Sequence, residues 1–112
     1  MVVAFNASTT IARTLDRIPS NMEGLAAILL SDDHSADDTA EVASTYASRH
    51  TDLPITVIRQ PRNLGYGGNQ KFCYRWAMRH DLDAVVLLHG DGQYAPELLP
   101  DMAAPIISGE AD

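Results

Sequence analysis

Residues 55–94 read ITVIRQPRNLGYGGNQKFCYRWAMRHDLDAVVLLHGDGQY, and this stretch decides the fold. Ile55 to Ile58 is β-branched at every position, a composition that suits a pleated, buried strand. A glycine-rich turn from Asn63 to Asn69 then opens a helix with Phe72, Cys73, Trp76 and Ala77 on one face. Ala84 to Leu88 is a second apolar strand, and it ends in His89-Gly90-Asp91. Strand, crossover helix, strand at this cadence is a βαβ unit, which needs a parallel sheet.

The same alternation runs upstream. Met1 to Phe5 is a short apolar run closed by Asn6, too brief for a helix. Ile11, Leu15 and Ile18 fall at helical spacing before Pro19-Ser20-Asn21 stops the pattern. Leu25 to Leu30 is another apolar run ending at Ser31-Asp32-Asp33. Ser35 with Asp38 three residues later has the spacing of a capping box, ahead of a helix with Ala40, Ala43 and Ala47 on one stripe. Pro96 suits the first position of a last helix. The expectation is an α/β fold: a mostly parallel, four-stranded sheet with helices on both faces, as one domain over residues 1–112. Three of the four strands are continuously apolar, as strands covered on both faces should be.

Composition narrows the function. The chain has 112 residues, 46% of them hydrophobic and 21% charged, so one core is affordable and disorder is not expected. Fifteen acids against eight Lys plus Arg give a net charge of −7, and Lys71 is the single lysine. A nucleic-acid partner would require a basic face, so none is expected. Cys73 is the only cysteine, which excludes an internal disulfide and a multi-cysteine zinc site. No stretch approaches a membrane span and no signal peptide is legible, so the expected location is the cytoplasm, including the cytoplasmic face of the membrane.

In open parallel sheets, ligands bind outside the carboxyl ends of the strands. Four such ends deliver polar residues here: Phe5-Asn6, Asp32-Asp33, the glycine turn, and His89-Gly90-Asp91-Gly92-Gln93. His89, Asp91 and Gln93 alternate, so an extended stretch would put their side chains on one side, where they could share a divalent cation. Few protein ligands and open positions suit Mg²⁺, and the imidazole leans toward Mn²⁺. An Asx-type turn at Asp91 with a flexible Gly92 is the competing structural reading. Asp32 and Asp33 could accept hydrogen bonds from a nucleobase or ribose, or could support the following helix through its dipole. The glycine turn could admit a phosphate or ribose, or could simply need positive φ. It is no dinucleotide fingerprint, because Gly65 and Gly67 fit but the third position is Gln70, and a nicotinamide-dependent oxidoreductase is disfavoured.

VVAFNAS (2–8), SDDHSADDT (31–39), NLGYGGNQK (63–71) and LLHGDGQYAPE (87–97) together resemble the family 2 glycosyltransferases, in particular members like the polyprenyl-phosphate sugar transferases. The resemblance implies a three-layer, Rossmann-like GT-A fold, of which this chain would be the truncated N-terminal, nucleotide-sugar-binding half. It implies inverting hexosyl transfer from a nucleoside-diphosphate sugar to an acceptor glycan or polyprenyl phosphate, with Mg²⁺ or Mn²⁺. By that likeness Phe5, flanked by Ala4 and Asn6, stacks on the base. Asp33 contacts the base with Asp32 beside it, and Gly65 lines the nucleotide. Asp91 is the metal-binding acid, with Gln93 and His89 beside it. The sequence departs from the family pattern at Val3, where a proline is usual, at Ala7, often an acid, and at His89, which replaces the first acid of the metal loop. The acceptor base is expected beyond residue 112. A non-catalytic nucleotide- or partner-binding module is the alternative, and an open sheet edge could pair with another chain.

Overall fold

A computed structural model describes residues 1–91 and 96–107, the side chains of 105–107 excepted. In chain order the elements are β1 (Val2–Ala4), α1 (Ile11–Asp16), β2 (Ile28–Asp32), α2 (Thr39–Arg49), β3 (Ile55–Arg59), α3 (Gly65–Arg79), β4 (Leu88–His89), a 3₁₀ turn (Pro96–Leu98) and α4 (Leu99–Ile107). The four strands form one sheet in the order β3-β2-β1-β4, and every pair is parallel. The chain lays down β1, β2 and β3 outward in one direction, then α3 carries it back across to place β4 on the other side of β1. The strand order therefore reverses beside β1, and such a switch point opens a crevice at the carboxyl ends of the strands.

Side chains alternate across the sheet and two apolar layers result. Val2, Ala4, Ile28, Leu30 and Leu88 face Ile11 and Leu15 of α1, Ala43 and Tyr46 of α2, and Leu99 of α4. Val3 and Leu29 face the other way, against Cys73, Phe72 and Trp76 of α3. Burial pushes the Cys73 thiol above its ordinary value, as expected for a core cysteine. The result is a three-layer α/β/α arrangement with helices on both faces of the sheet. Among the described residues, no helix is long and apolar enough to cross a membrane.

Several expected boundaries move. The second strand begins at Ile28, not Leu25, because Leu25 N–H closes a turn onto Met22 O (3.3 Å). Ile18 stays buried but lies past the end of α1. β4 is two residues long rather than five. The segment before it is anchored through Val86 O, which accepts from the N-terminal ammonium (2.7 Å). β1 and β2 are buried throughout, whereas β3 is an edge strand of intermediate and exposed residues despite its apolar sequence. The expected capping box does not form: α2 starts at Thr39 with no side-chain cap, and Ser35 donates instead to Asp32. The glycine turn is largely helix, since α3 begins at Gly65.

Candidate functional site

The turn leaving β1 is held from outside. Asn6 has φ +50°, a left-handed conformation that asparagine tolerates better than most residues. Its N–H donates to Ser35 Oγ (2.8 Å), and its Oδ1 accepts from Ala36 N–H (3.0 Å). Ala7 N–H donates to Thr39 Oγ1 (2.9 Å), and Ser8 N–H donates to an Asp37 carboxylate oxygen (3.2 Å). Asp37 also accepts from the Thr39 hydroxyl, and chiefly through that bond its carboxyl is pulled below its ordinary value. Four bonds thus lace residues 6–8 to residues 35–39. Phe5, beside this turn, leaves 53% of its surface exposed.

The turn leaving β2 organises the start of α3. Asp33 N–H extends the ladder to Ala4 O (2.9 Å), and its carboxylate accepts from Leu64 N–H (2.7 Å). Asn63 donates through Nδ2 to Asp33 O (3.2 Å) and accepts from Gly65 N–H (2.9 Å). Gly65 has φ +77° with open space around its α-carbon, so backbone conformation, not crowding, calls for glycine there. Below, Asn69 is buried and paired with Ser31, donating to Ser31 O (3.0 Å) and accepting from its hydroxyl.

The turn leaving β4 is fixed through its backbone. Gly90 N–H donates to Val3 O (2.9 Å), while Gly90 O accepts from the hydroxyls of Thr10 (2.9 Å) and Thr14 (3.1 Å). A β-carbon on Gly90 would lie 3.0 Å from both Ala4 Cβ and Ile11 Cδ1, so this turn needs glycine for close approach to β1 and α1. Asp91, one residue on, is exposed. His89 stacks on Tyr66, with ring centroids 5.3 Å apart and planes 9° apart, and its Nε2 lies 3.2 Å from the Tyr66 hydroxyl.

These three turns enclose one cleft of about 340 Å³ at the switch point. Of the residues expected from sequence, Ala4, Phe5, Asp33, Gly65, His89 and Asp91 line it. Asn6 and Asp32 do not: Asn6 spends its amide groups on the loop before α2, and Asp32 is wholly buried behind the wall. Gln93 lies outside the described residues. Asn63, Tyr66 and Asn69 of the glycine turn, expected there as a segment but not singled out apart from Gly65, also line the cleft, as does Gly90. Among the described residues no three His, Cys, Asp or Glu side chains gather as a metal cluster. Asp91 is nevertheless an exposed acidic residue on the cleft wall, a position that fits a cation held by few protein ligands. A second cavity of about 610 Å³ lies at the opposite ends of the strands, lined mainly by apolar side chains such as Met22, Leu25, Val86 and Trp76. Its lining also includes Glu23, Asp81 and Asp83.

The model of the family described as "Glycosyl transferase family 2" matches residues 1–112. Among solved structures, the fold is similar to that of S. aureus TarS 1–349 in complex with UDP, with a TM-score of 0.72 and 23% identity. That alignment covers 100% of this chain and 32% of the TarS chain. S. aureus TarS 1–349 in a further crystal structure gives a TM-score of 0.72 at 22% identity, covering 99% of this chain and 33% of that one. The crystal structure titled simply S. aureus TarS gives 0.65 at 23% identity, with 99% and 20% covered. This chain thus spans about a third or less of each structure it resembles. No curated protein matches it significantly.

Proposed function

The chain belongs to glycosyl transferase family 2, and from that premise we propose that its cleft binds a nucleoside-diphosphate sugar for transfer of the sugar to an acceptor hydroxyl or lipid phosphate. One observation carries the reading: Phe5, Asp33, Gly65 and Asp91, from four separated segments, line a single cleft where the strand order reverses. In this reading Phe5 offers its exposed ring to the base, and a planar base gains from stacking on it. Asp33, already fixed by Leu64 N–H, presents its carboxylate to a base or ribose donor. The start of α3 brings its backbone N–H groups toward the ribose and diphosphate.

Asp91 would hold Mg²⁺ or Mn²⁺, with His89 and Gln93 as further proposed ligands. When bound, such an ion supplies Lewis-acid neutralisation of the diphosphate as the nucleotide leaves. The chain's own contribution is orientation. The threonine-anchored Gly90 carbonyl fixes where Asp91 emerges, and the hydrogen-bonded Asp33 fixes the other wall. The base that deprotonates the acceptor, required for inversion, is proposed to lie beyond residue 112.

Calorimetric titration of UDP, with and without Mn²⁺, tests this. UDP is the probe because TarS, similar in fold, was crystallised with it. Binding strengthened by Mn²⁺ in the wild-type chain, with that gain lost in Asp91→Ala, is expected. Binding indifferent to both would overturn the assignment.

A further inference from the structure

Asp32 was expected at the nucleotide, but it has no exposed surface at all. One carboxylate oxygen accepts from the Ser35 hydroxyl. The other, Oδ2, has no hydrogen-bond partner among the described residues, and Arg59 Nε stands 3.6 Å away. A buried carboxylate oxygen left without a hydrogen bond is costly, and a well-packed apolar side chain would serve a core better. The bonding beyond Ser35 indicates what the carboxylate does. A serine hydroxyl has one proton and two acceptor lone pairs, and it rotates to suit its neighbours. With the proton drawn to Asp32, the lone pairs are left for Asn6 N–H, which donates to Ser35 Oγ at 2.8 Å. A hydroxyl that donates to a carboxylate also becomes a better acceptor. Arg59 completes the arrangement, donating through Nη2 to Ser35 O at 3.2 Å.

We infer that Asp32 is a positioning residue for nucleotide binding: acting through Ser35, it holds the Asn6 amide and so sets the Phe5 ring against the cleft. The inference rests on the proposed function and deepens it, because it assigns the two neighbouring acids opposite tasks. Asp33 faces the ligand and Asp32 faces the protein. The left-handed Asn6 makes the device necessary, since a strained turn keeps its shape only where its surroundings dictate it.

The test is a double-mutant cycle on UDP–Mn²⁺ affinity, joined to hydrogen exchange at the Asn6 amide. The variants are Ser35→Ala, Phe5→Leu and their combination, with Ser35→Thr as the conservative rescue. Ser35→Ala deletes the hydroxyl that links Asp32 to Asn6 and also strips the buried carboxylate of that bond, so urea denaturation first establishes that each variant is folded under the titration conditions. The expected result is a loss of roughly tenfold in affinity when Phe5 is present and less than about twofold when it is Leu, the signature of coupled residues. Asn6 exchange should rise by about tenfold or more in step, and Ser35→Thr should restore both. Equal losses in both backgrounds, or lost affinity with unchanged Asn6 exchange, would overturn the inference while leaving the proposed function intact. A wild-type chain that binds no UDP would overturn the proposed function and, with it, the role in binding. The exchange measurement then still decides whether Ser35 holds the turn.

Discussion

Asp33 and Asp91 stand at the ends of β2 and β4, line the same cleft, and are held by different means. Asp33 is 4% exposed and its carboxylate already accepts from Leu64 N–H, so its position is set by the protein before any ligand arrives. Asp91 is exposed, and the backbone one residue earlier is fixed, because Gly90 is clasped by Val3, Thr10 and Thr14. The Asp33 carboxylate is ordered by the backbone that follows it. Asp91 lies toward solvent on the cleft wall. A site that reads a planar base on one side and a mobile diphosphate with its counter-ion on the other would need this division, because pre-ordered groups give specificity while a cation requires open coordination positions.

Substituting each acid in turn, with binding and stability read separately, distinguishes the two walls. Asp33→Ala should lose UDP affinity by about a hundredfold and also destabilise the fold by about 1–3 kcal/mol, since Leu64 N–H is left unpaired in a part-buried place. Asp91→Ala should abolish the Mn²⁺-dependent gain in affinity and destabilise the fold less than Asp33→Ala does, because the position is exposed. Urea denaturation alongside calorimetry reads both. Equal stability losses would erase the distinction. Gly90→Val should destabilise by about 1–3 kcal/mol through overpacking against Ala4 and Ile11, and should weaken Mn²⁺–UDP binding although it touches neither acid. Thr14→Val removes one of the two hydroxyls on Gly90 O and should cost about 1 kcal/mol, visible as a small fall in thermal midpoint.

The smallest expected effect concerns pH. Asp37 has its carboxyl lowered from the ordinary 3.8 by bonds from Thr39 and Ser8, so it contributes stability above that pH. The contribution is lost as pH falls through the lower, folded value. Wild type and Asp37→Asn should therefore differ slightly in thermal midpoint near neutrality and converge in strong acid. A gap that widens on acidification would contradict the sign.

The alternation of apolar runs with helical patterns made the sheet, its parallel sense and its two-sided cover legible, because the burial of β1 and β2 is written in consecutive residues, whereas the equally apolar β3 lies at the edge. Boundaries were legible only where the chain itself stops an element. Leu25 to Ala27 look like strand but belong to the irregular segment before β2. Ala84 to Leu87 are apolar enough for strand, yet the β4 ladder begins only at Leu88. The cleft was legible where residues sit at strand ends. It was not legible where the partner is distant in sequence: Ser35 has the spacing of a local cap but bonds to Asn6, 29 residues away, and Tyr66 meets His89 across 23 residues. Adjacent Asp32 and Asp33 look alike as a pair. Only the pleat, turning one inward and the next toward the cleft, separates them.

In the proposed site a cation and a diphosphate meet between the β1 and β4 turns. Paramagnetic broadening of backbone amides by Mn²⁺, recorded on ¹⁵N-labelled chain with UDP present, measures that meeting directly. The strongest broadening is predicted at His89, Gly90 and Asp91, with lesser effects at Phe5, Asp33 and Gly65, and its loss in Asp91→Ala. Broadening centred elsewhere, such as on the apolar cavity around Met22 and Trp76, or equal broadening with and without UDP, would contradict it.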